Sequence, residues 1–222
     1  MLFLSIASLV IVEIIRLFKT ISFDKIGAIF GELSPIKVIS LALLGFMAVA
    51  PMIFYDKILN KELNQKQKLS YLLETSWTIN SLNNMIGFAG LVDVGLRYSF
   101  YGDEERPKKS MQGISRVIPY FMSGFSLFAL LSLVFIIIFP ISIGVKKYWP
   151  ALLGASLYLP IVLLVSNRKK WVYFGQLSGR TIKSLVFASG LDWASVLSFF
   201  LLVGYALGYN LPIYDIIPPQ GI

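Results

Sequence analysis

Between Arg116 and Lys146 the chain runs for 29 residues without a charged side chain. As one helix that run would be roughly 44 Å long, more than the ~30 Å hydrocarbon layer of a bilayer. Pro119 and Pro140 are therefore expected to trim or kink its ends, because proline cannot donate the helical hydrogen bond. A second uncharged run of 20 residues separates Lys147 from Arg168, with Pro160 inside it. Residues 2–18, 38–55 and 184–209 are comparably apolar, and Pro51 is expected to bend the second of these. The fold class that follows is an all-α integral membrane protein with about five transmembrane helices, forming a single membrane domain over 1–222 with no soluble catalytic domain. Composition agrees: 56% of the residues are hydrophobic and 14% charged, whereas soluble domains carry about 25% charge.

The chain has neither cysteine nor histidine. Cys/His zinc sites, cysteine nucleophiles and Ser-His-Asp triads are excluded, since each needs a thiolate or an imidazole. No cofactor, metal site or catalytic residue is expected. The cluster Asp103, Glu104 and Glu105 runs straight into Arg106 and reads as a solvated loop. The net charge of +8 sits in short loops beside apolar runs, the pattern that orients membrane helices and attracts anionic headgroups, and it does not point to nucleic acid.

Residues 70–101 break the apolar pattern. Ser76, Asn80, Asn83, Asn84 and Gly87 recur at helical spacing on one face, with Leu72, Ile79, Leu82 and Ile86 on another. The bend "GFAG" follows, and then a short helix carries Asp93 and Arg97 one turn apart. A re-entrant helical hairpin is expected here. With it, thirteen of the twenty Lys and Arg residues fall on one side and five on the other, leaving Arg16 and Arg97 inside spans. A single crossing also satisfies the positive-inside rule, so charge leaves both open. The stretch "KTISFDKIGAIFGELSPIK" reads as an interfacial helix ended by Pro35, and "DKILNKELNQKQK" as a juxtamembrane helix.

Ionisable side chains within membrane segments are costly, about 2.5–3.5 kcal/mol at the centre on insertion scales, and usually face a partner, cavity or substrate. Glu13 and Arg16, three apart, read as a mutual pair near the membrane edge. Asp93 and Arg97 suit an i,i+4 ion pair, but the guanidinium fork also suits a phosphate, with Asp93 compensating Arg97 when no lipid is present. Asp192 lies about two turns into the last span, as an interfacial acid paired with Lys183 or water, or as a carboxylate lining a polar path. Asp56 closes the second span, either as a boundary residue beside Lys57 or as part of a site. Asn80 and Asn84 are candidates for the same path or for interhelical hydrogen bonds.

In order along the chain, Tyr55-Asp56, "INSLNN", "GFAG", Gly95-Leu96-Arg97 and Asp192-Trp193 resemble the N-terminal membrane region of the bacterial multiple peptide resistance factor family, the lysylphosphatidylglycerol synthases and flippases. The resemblance covers residues 40–210 and implies a bacterial cell-membrane module that moves aminoacylated phosphatidylglycerol between leaflets and so contributes to resistance to cationic peptides. It implies headgroup contacts at Asp56, Arg97 and Asp192, while Asp93 rests on spacing alone. The partners implied are anionic and aminoacylated phospholipid, together with further spans from another chain or copy. The family's later spans and its aminoacyl-transferase domain have no counterpart in this sequence, so the chain reads as a fragment of the flippase half, and an enzymatic activity stays open. A membrane scaffold and a small-solute secondary transporter are the alternatives.

Overall fold

A computed structural model describes residues 33–86, 91–138, 147–166 and 177–208, with Gly27 and Gly31. The first span with Glu13 and Arg16, the "GFAG" bend and Pro140 lie outside the described residues. Every regular element among the described residues is helical, and four stretches are long and apolar enough to cross a membrane: Pro35–Glu62, Pro107–Ile138, Trp149–Ser166 and Gly179–Ala206. Large apolar side chains point outward along them, including Ile137, Leu164, Phe187 and Phe200. In water that surface would drive aggregation; in lipid it is the expected outer face. The protein is a multi-pass, all-α membrane protein.

The described residues divide between Leu44 and Gly45 into two compact units. In the first, helix α1 (Pro35–Val49) begins at Pro35, with Ser34 in front of it. Pro35 thus opens a span, since a first-turn proline loses no hydrogen bond and arrives with helical φ; the stretch read as an interfacial helix before it lies, but for a few residues, outside the described residues.

The second unit holds the rest. Ala50–Met52 form a 3-10 turn around Pro51, and α2 (Ile53–Glu62) continues the span. The span therefore includes most of the stretch read as a separate juxtamembrane helix. It ends where Asn64 takes a left-handed φ of 55°, with Gln65 N–H donating to the Asn60 carbonyl and Asn64 N–H to that of Lys61, a Schellman-type stop. That stop aims Gln65, whose Nε2 donates to the Tyr101 carbonyl at 2.8 Å.

Helices α3 (Leu69–Ile86) and α4 (Leu91–Tyr101) pack as an antiparallel pair. The Tyr71 hydroxyl donates to the Phe100 carbonyl at 3.0 Å, and the Thr75 and Tyr101 hydroxyls are 2.7 Å apart. The start of α3 thus meets the end of α4, and the chain returns to the level it left. At 11 residues, α4 is about 16 Å long, too short to cross a bilayer. The hairpin geometry holds. The buried face of α3, however, is Leu72, Thr75, Ser76 and Ile79, a mixture of the two faces read from periodicity, because tertiary packing covers polar and apolar positions together.

Helix α5 (Pro107–Val117) buries Ser110, Ile114 and Val117 at helical spacing. It leads through a 3-10 stretch, Ile118–Met122, into α6 (Ser123–Ile138). The next span breaks at Leu157 into α7 (Trp149–Ser156) and α8 (Tyr158–Ser166). Pro160 cannot donate to the Ser156 carbonyl four residues back. Ser126 Oγ of α6 donates to that carbonyl at 2.8 Å and accepts from Leu159 N–H at 3.1 Å. A side-chain hydroxyl from the neighbouring helix thus satisfies backbone groups that lipid could not.

Helix α9 (Gly179–Ala206) starts at Ser178, whose hydroxyl accepts from Thr181 N–H at 3.1 Å, a side-chain N-cap. It crosses α6 closely at Gly124. A Cβ there would collide with the Ser189 carbonyl and lie 2.8 Å from Gly190 N, and Gly124 N–H donates to Ser189 Oγ at 2.7 Å. Small residues commonly permit such crossings in membrane bundles.

Two outcomes are expected. Gly124→Ala should destabilise the folded bundle by about 1–3 kcal/mol, the usual cost of overpacking. Gly204→Ala, where a Cβ meets nothing within 4 Å, should be neutral or slightly stabilising. Denaturation in mixed micelles followed by circular dichroism measures both, and equal effects would contradict the close crossing. Second, the exposed positions 64, 105 and 178 should share one membrane face. Since the chain has no cysteine, Asn64→Cys, Glu105→Cys and Ser178→Cys should all be protected from, or all labelled by, an impermeant thiol reagent added to intact cells.

Candidate polar site in the helical bundle

Each charged side chain of the site is delivered by a different constraint. The 3-10 turn at Pro51 sets the rotation of α2 so that Tyr55, Asp56, Leu59 and Asn60 face inward. On α4, Asp93 and Arg97 sit one turn apart and are both buried, at 3% and 0% relative exposure. Asp56 is also fully buried.

Arg97 joins the two helices. Its Nε donates to Asp56 Oδ1 at 2.9 Å and its Nη2 to Asp56 Oδ2 at 3.4 Å, a fork-on-carboxylate geometry. Its Nη1 donates to Asp93 Oδ1. The guanidinium also lies over the Phe121 ring, with Cζ 4.8 Å from the ring centroid, an arrangement that favours a desolvated cation. Phe121 belongs to the 3-10 stretch before α6, so three parts of the bundle hold one side chain.

Tyr55 extends the cluster to α9. Its ring packs against Phe121 with centroids 4.1 Å apart, and its hydroxyl donates to Asp192 Oδ2 at 3.1 Å. Asp192 is 7% exposed, and its Oδ1 is buried with no hydrogen-bond partner among the described residues. One turn earlier, Ser189 Oγ donates to the Phe121 carbonyl at 2.6 Å, which fixes α9 against the same 3-10 stretch. The result is two buried polar clusters, Asp93–Arg97–Asp56 and Tyr55–Asp192, with the Phe121 ring packed against both. Two carboxyl groups meet the guanidinium, and the third, Asp192, meets the Tyr55 hydroxyl.

The i,i+4 pairing of Asp93 with Arg97 agrees with its spacing, and Asp56 joins it from 41 residues away. Asp192 binds Tyr55 rather than Lys183. Asn80 stays with its own helix, its Nδ2 donating to the Ser76 carbonyl at 2.8 Å and reaching the Ser76 hydroxyl at 3.2 Å, with no hydrogen bond to the charged cluster among the described residues. The Asn84 side chain lies outside the described residues. Sequence reasoning did not find Phe121 or Ser189. An aromatic after a proline and a serine before a glycine are too common to signal a site.

The chain aligns with the phosphatidylglycerol lysyltransferase of Bacillus subtilis (strain 168) at 29% identity over 87% of its own length and 23% of the relative's. The enzyme of the same name from Staphylococcus aureus (strain MRSA252) is 31% identical over 72% of this chain and 20% of the relative. This chain is a homologue of the phosphatidylglycerol lysyltransferases. It spans about a fifth of the length of the curated relatives it matches, and the match is consistent with the N-terminal membrane region of that family. No family model matches the chain. No solved structure matches it either.

Removing one partner of a buried ion pair leaves an uncompensated charge and costs about 3–5 kcal/mol. Asp93 still balances Arg97 when Asp56 is removed, so Asp56→Ala strands two guanidinium donors rather than the whole charge and is expected to cost less, about 1–3 kcal/mol. Asp56→Ala combined with Arg97→Met should cost clearly less than the sum of the two single changes, because both remove the same Asp56–Arg97 contact. Additive losses in micelle denaturation would contradict the pairing.

Proposed function

We propose that the chain is a membrane module for translocating aminoacylated phosphatidylglycerol, which in a bacterial membrane contributes to resistance against cationic peptides. The observation that carries this reading is the buried charged cluster, two carboxyl groups on Arg97 and a third, Asp192, on Tyr55, inside a bundle whose outer face is apolar. Ionisable groups at membrane depth mark substrate paths more often than structural contacts. The homology supports the lipid class, since the relatives are named for lysyl transfer to phosphatidylglycerol.

Chemically, the excess carboxylate suits the ammonium groups of an aminoacyl headgroup. Asp192 is the first candidate, because its Oδ1 has no partner among the described residues and an entering ammonium would supply one. Arg97 is the candidate for the phosphate. Its donors are held by Asp56 and Asp93, so a phosphate would take over from Asp93, whose single contact is easier to exchange than the fork on Asp56. Asp93 is then a resting partner and Asp56 a fixed one. Asn80 and Asn84 remain headgroup candidates only through a rearrangement of α3. The relatives extend far beyond the matched region, so translocation is proposed for this bundle as part of a larger membrane assembly.

The test is movement of fluorescent lysyl-phosphatidylglycerol across vesicles holding the purified chain, alone and with the remaining membrane region of a relative. Asp192→Asn should slow lysyl-lipid movement about tenfold or more, corresponding to about 1.4 kcal/mol or more, with unchanged protein level and unchanged helix content. Neutralising a merely structural acid would relieve its desolvation and leave activity intact. Full movement by Asp192→Asn, or none above protein-free vesicles in either arrangement, would reject the reading.

A further inference from the structure

A second charged feature lies at the end of the bundle, with the opposite sign. A groove of about 890 Å³ opens between α2 and the first turns of α9. Lys57 and Lys61 come from α2 and Arg180 from α9, while Phe54 and Ile58 form an apolar wall. An adjoining cavity of about 420 Å³ shares Arg180 and adds Lys183 and Phe187. Four cations converge there, all exposed, and none is in an ion pair among the described residues. The acid in the lining, Glu62, accepts a hydrogen bond from Thr181 Oγ1 at 2.7 Å.

That hydrogen bond also sets the depth of the groove. Glu62 ends the span Pro35–Glu62 and Thr181 lies at the start of Gly179–Ala206, so the cations sit where two spans leave the apolar layer. Phe54 and Phe187, 42% and 74% exposed, lie one to two turns further into their spans. Basic side chains at the surface with bare aromatic rings beneath them match a phospholipid, phosphate outward and acyl chains inward. A soluble anion would leave the rings without a partner.

We propose that this groove binds an unmodified anionic glycerophospholipid, and that it disfavours the aminoacylated form. A lysyl group adds two positive charges to a headgroup that carries one negative charge, so the lipid that suits the buried carboxyl path is repelled by four unpaired cations. The two sites thus sort lipids by the sign of the headgroup. The assignment stands on the groove alone and does not require translocation.

The experiment is native mass spectrometry of the detergent-purified full chain titrated with phosphatidylglycerol, phosphatidylcholine or lysyl-phosphatidylglycerol. Phosphatidylglycerol should be retained at concentrations about tenfold lower than the other two. Lys57→Gln with Arg180→Gln should raise the phosphatidylglycerol requirement by about tenfold or more, taking a surface cation as worth roughly a fivefold change. Lys108→Gln with Lys109→Gln removes the same charge from α5 and should leave the titration unchanged. Ser184→Trp keeps every charge and fills the groove, and it should also lose the lipid. Circular dichroism checks that each variant is folded. Equal retention of the three lipids, equal loss from the α5 variant, or undiminished binding by Ser184→Trp would overturn the proposal.

Discussion

Everything near the centre of the bundle is arranged around the guanidinium of Arg97. Burying such a cation in a bundle surrounded by lipid is tolerable only if its charge and donors are met by the protein. Asp56 and Asp93 meet the donors, and Phe121 covers the face of the cation. Satisfying Arg97 therefore fixes the rotation of α2, the approach of the short helix α4 and the position of the 3-10 stretch before α6. Tyr55, next to Asp56, carries the same constraint on to Asp192 and α9.

The bundle deals with its prolines by a related logic. Pro51 and Pro119 lie within 3-10 segments and Pro160 follows a break. Each interrupts the backbone ladder, and the freed groups must find partners without water. Serine hydroxyls supply several. Ser126 bridges the break near Pro160, and Ser189 joins the Phe121 carbonyl to the Gly124 amide. The latter works only because Gly124 has no side chain. Irregular backbone at Pro51 and Pro119 thus flanks the charged cluster.

Charge is separated around α2 rather than along it. Asp56 faces the buried path and Lys57 the surface groove, one residue apart in sequence and on opposite faces of the helix. A headgroup meeting the outer end of the bundle encounters cations, and one reaching the interior encounters mostly carboxyl groups. In the proposed readings α2 would serve both sites at once.

The sequence by itself determined the membrane class, the positions of the spans around their prolines, the hairpin and the pairing of Asp93 with Arg97. These depend on composition, run length and spacing within one helix, and a linear reading contains all three. Tertiary structure decided that Asp56 also belongs to Arg97, that Tyr55 rather than Lys183 meets Asp192, that Asn80 turns back on its own helix, and that Pro35 opens a span. It also assembled the basic groove from residues more than a hundred positions apart. Helical periodicity says which residues share a face, but not which face of another helix meets it. In this bundle that choice was made by the need to satisfy one buried cation and the backbone groups freed by proline, which no local pattern records.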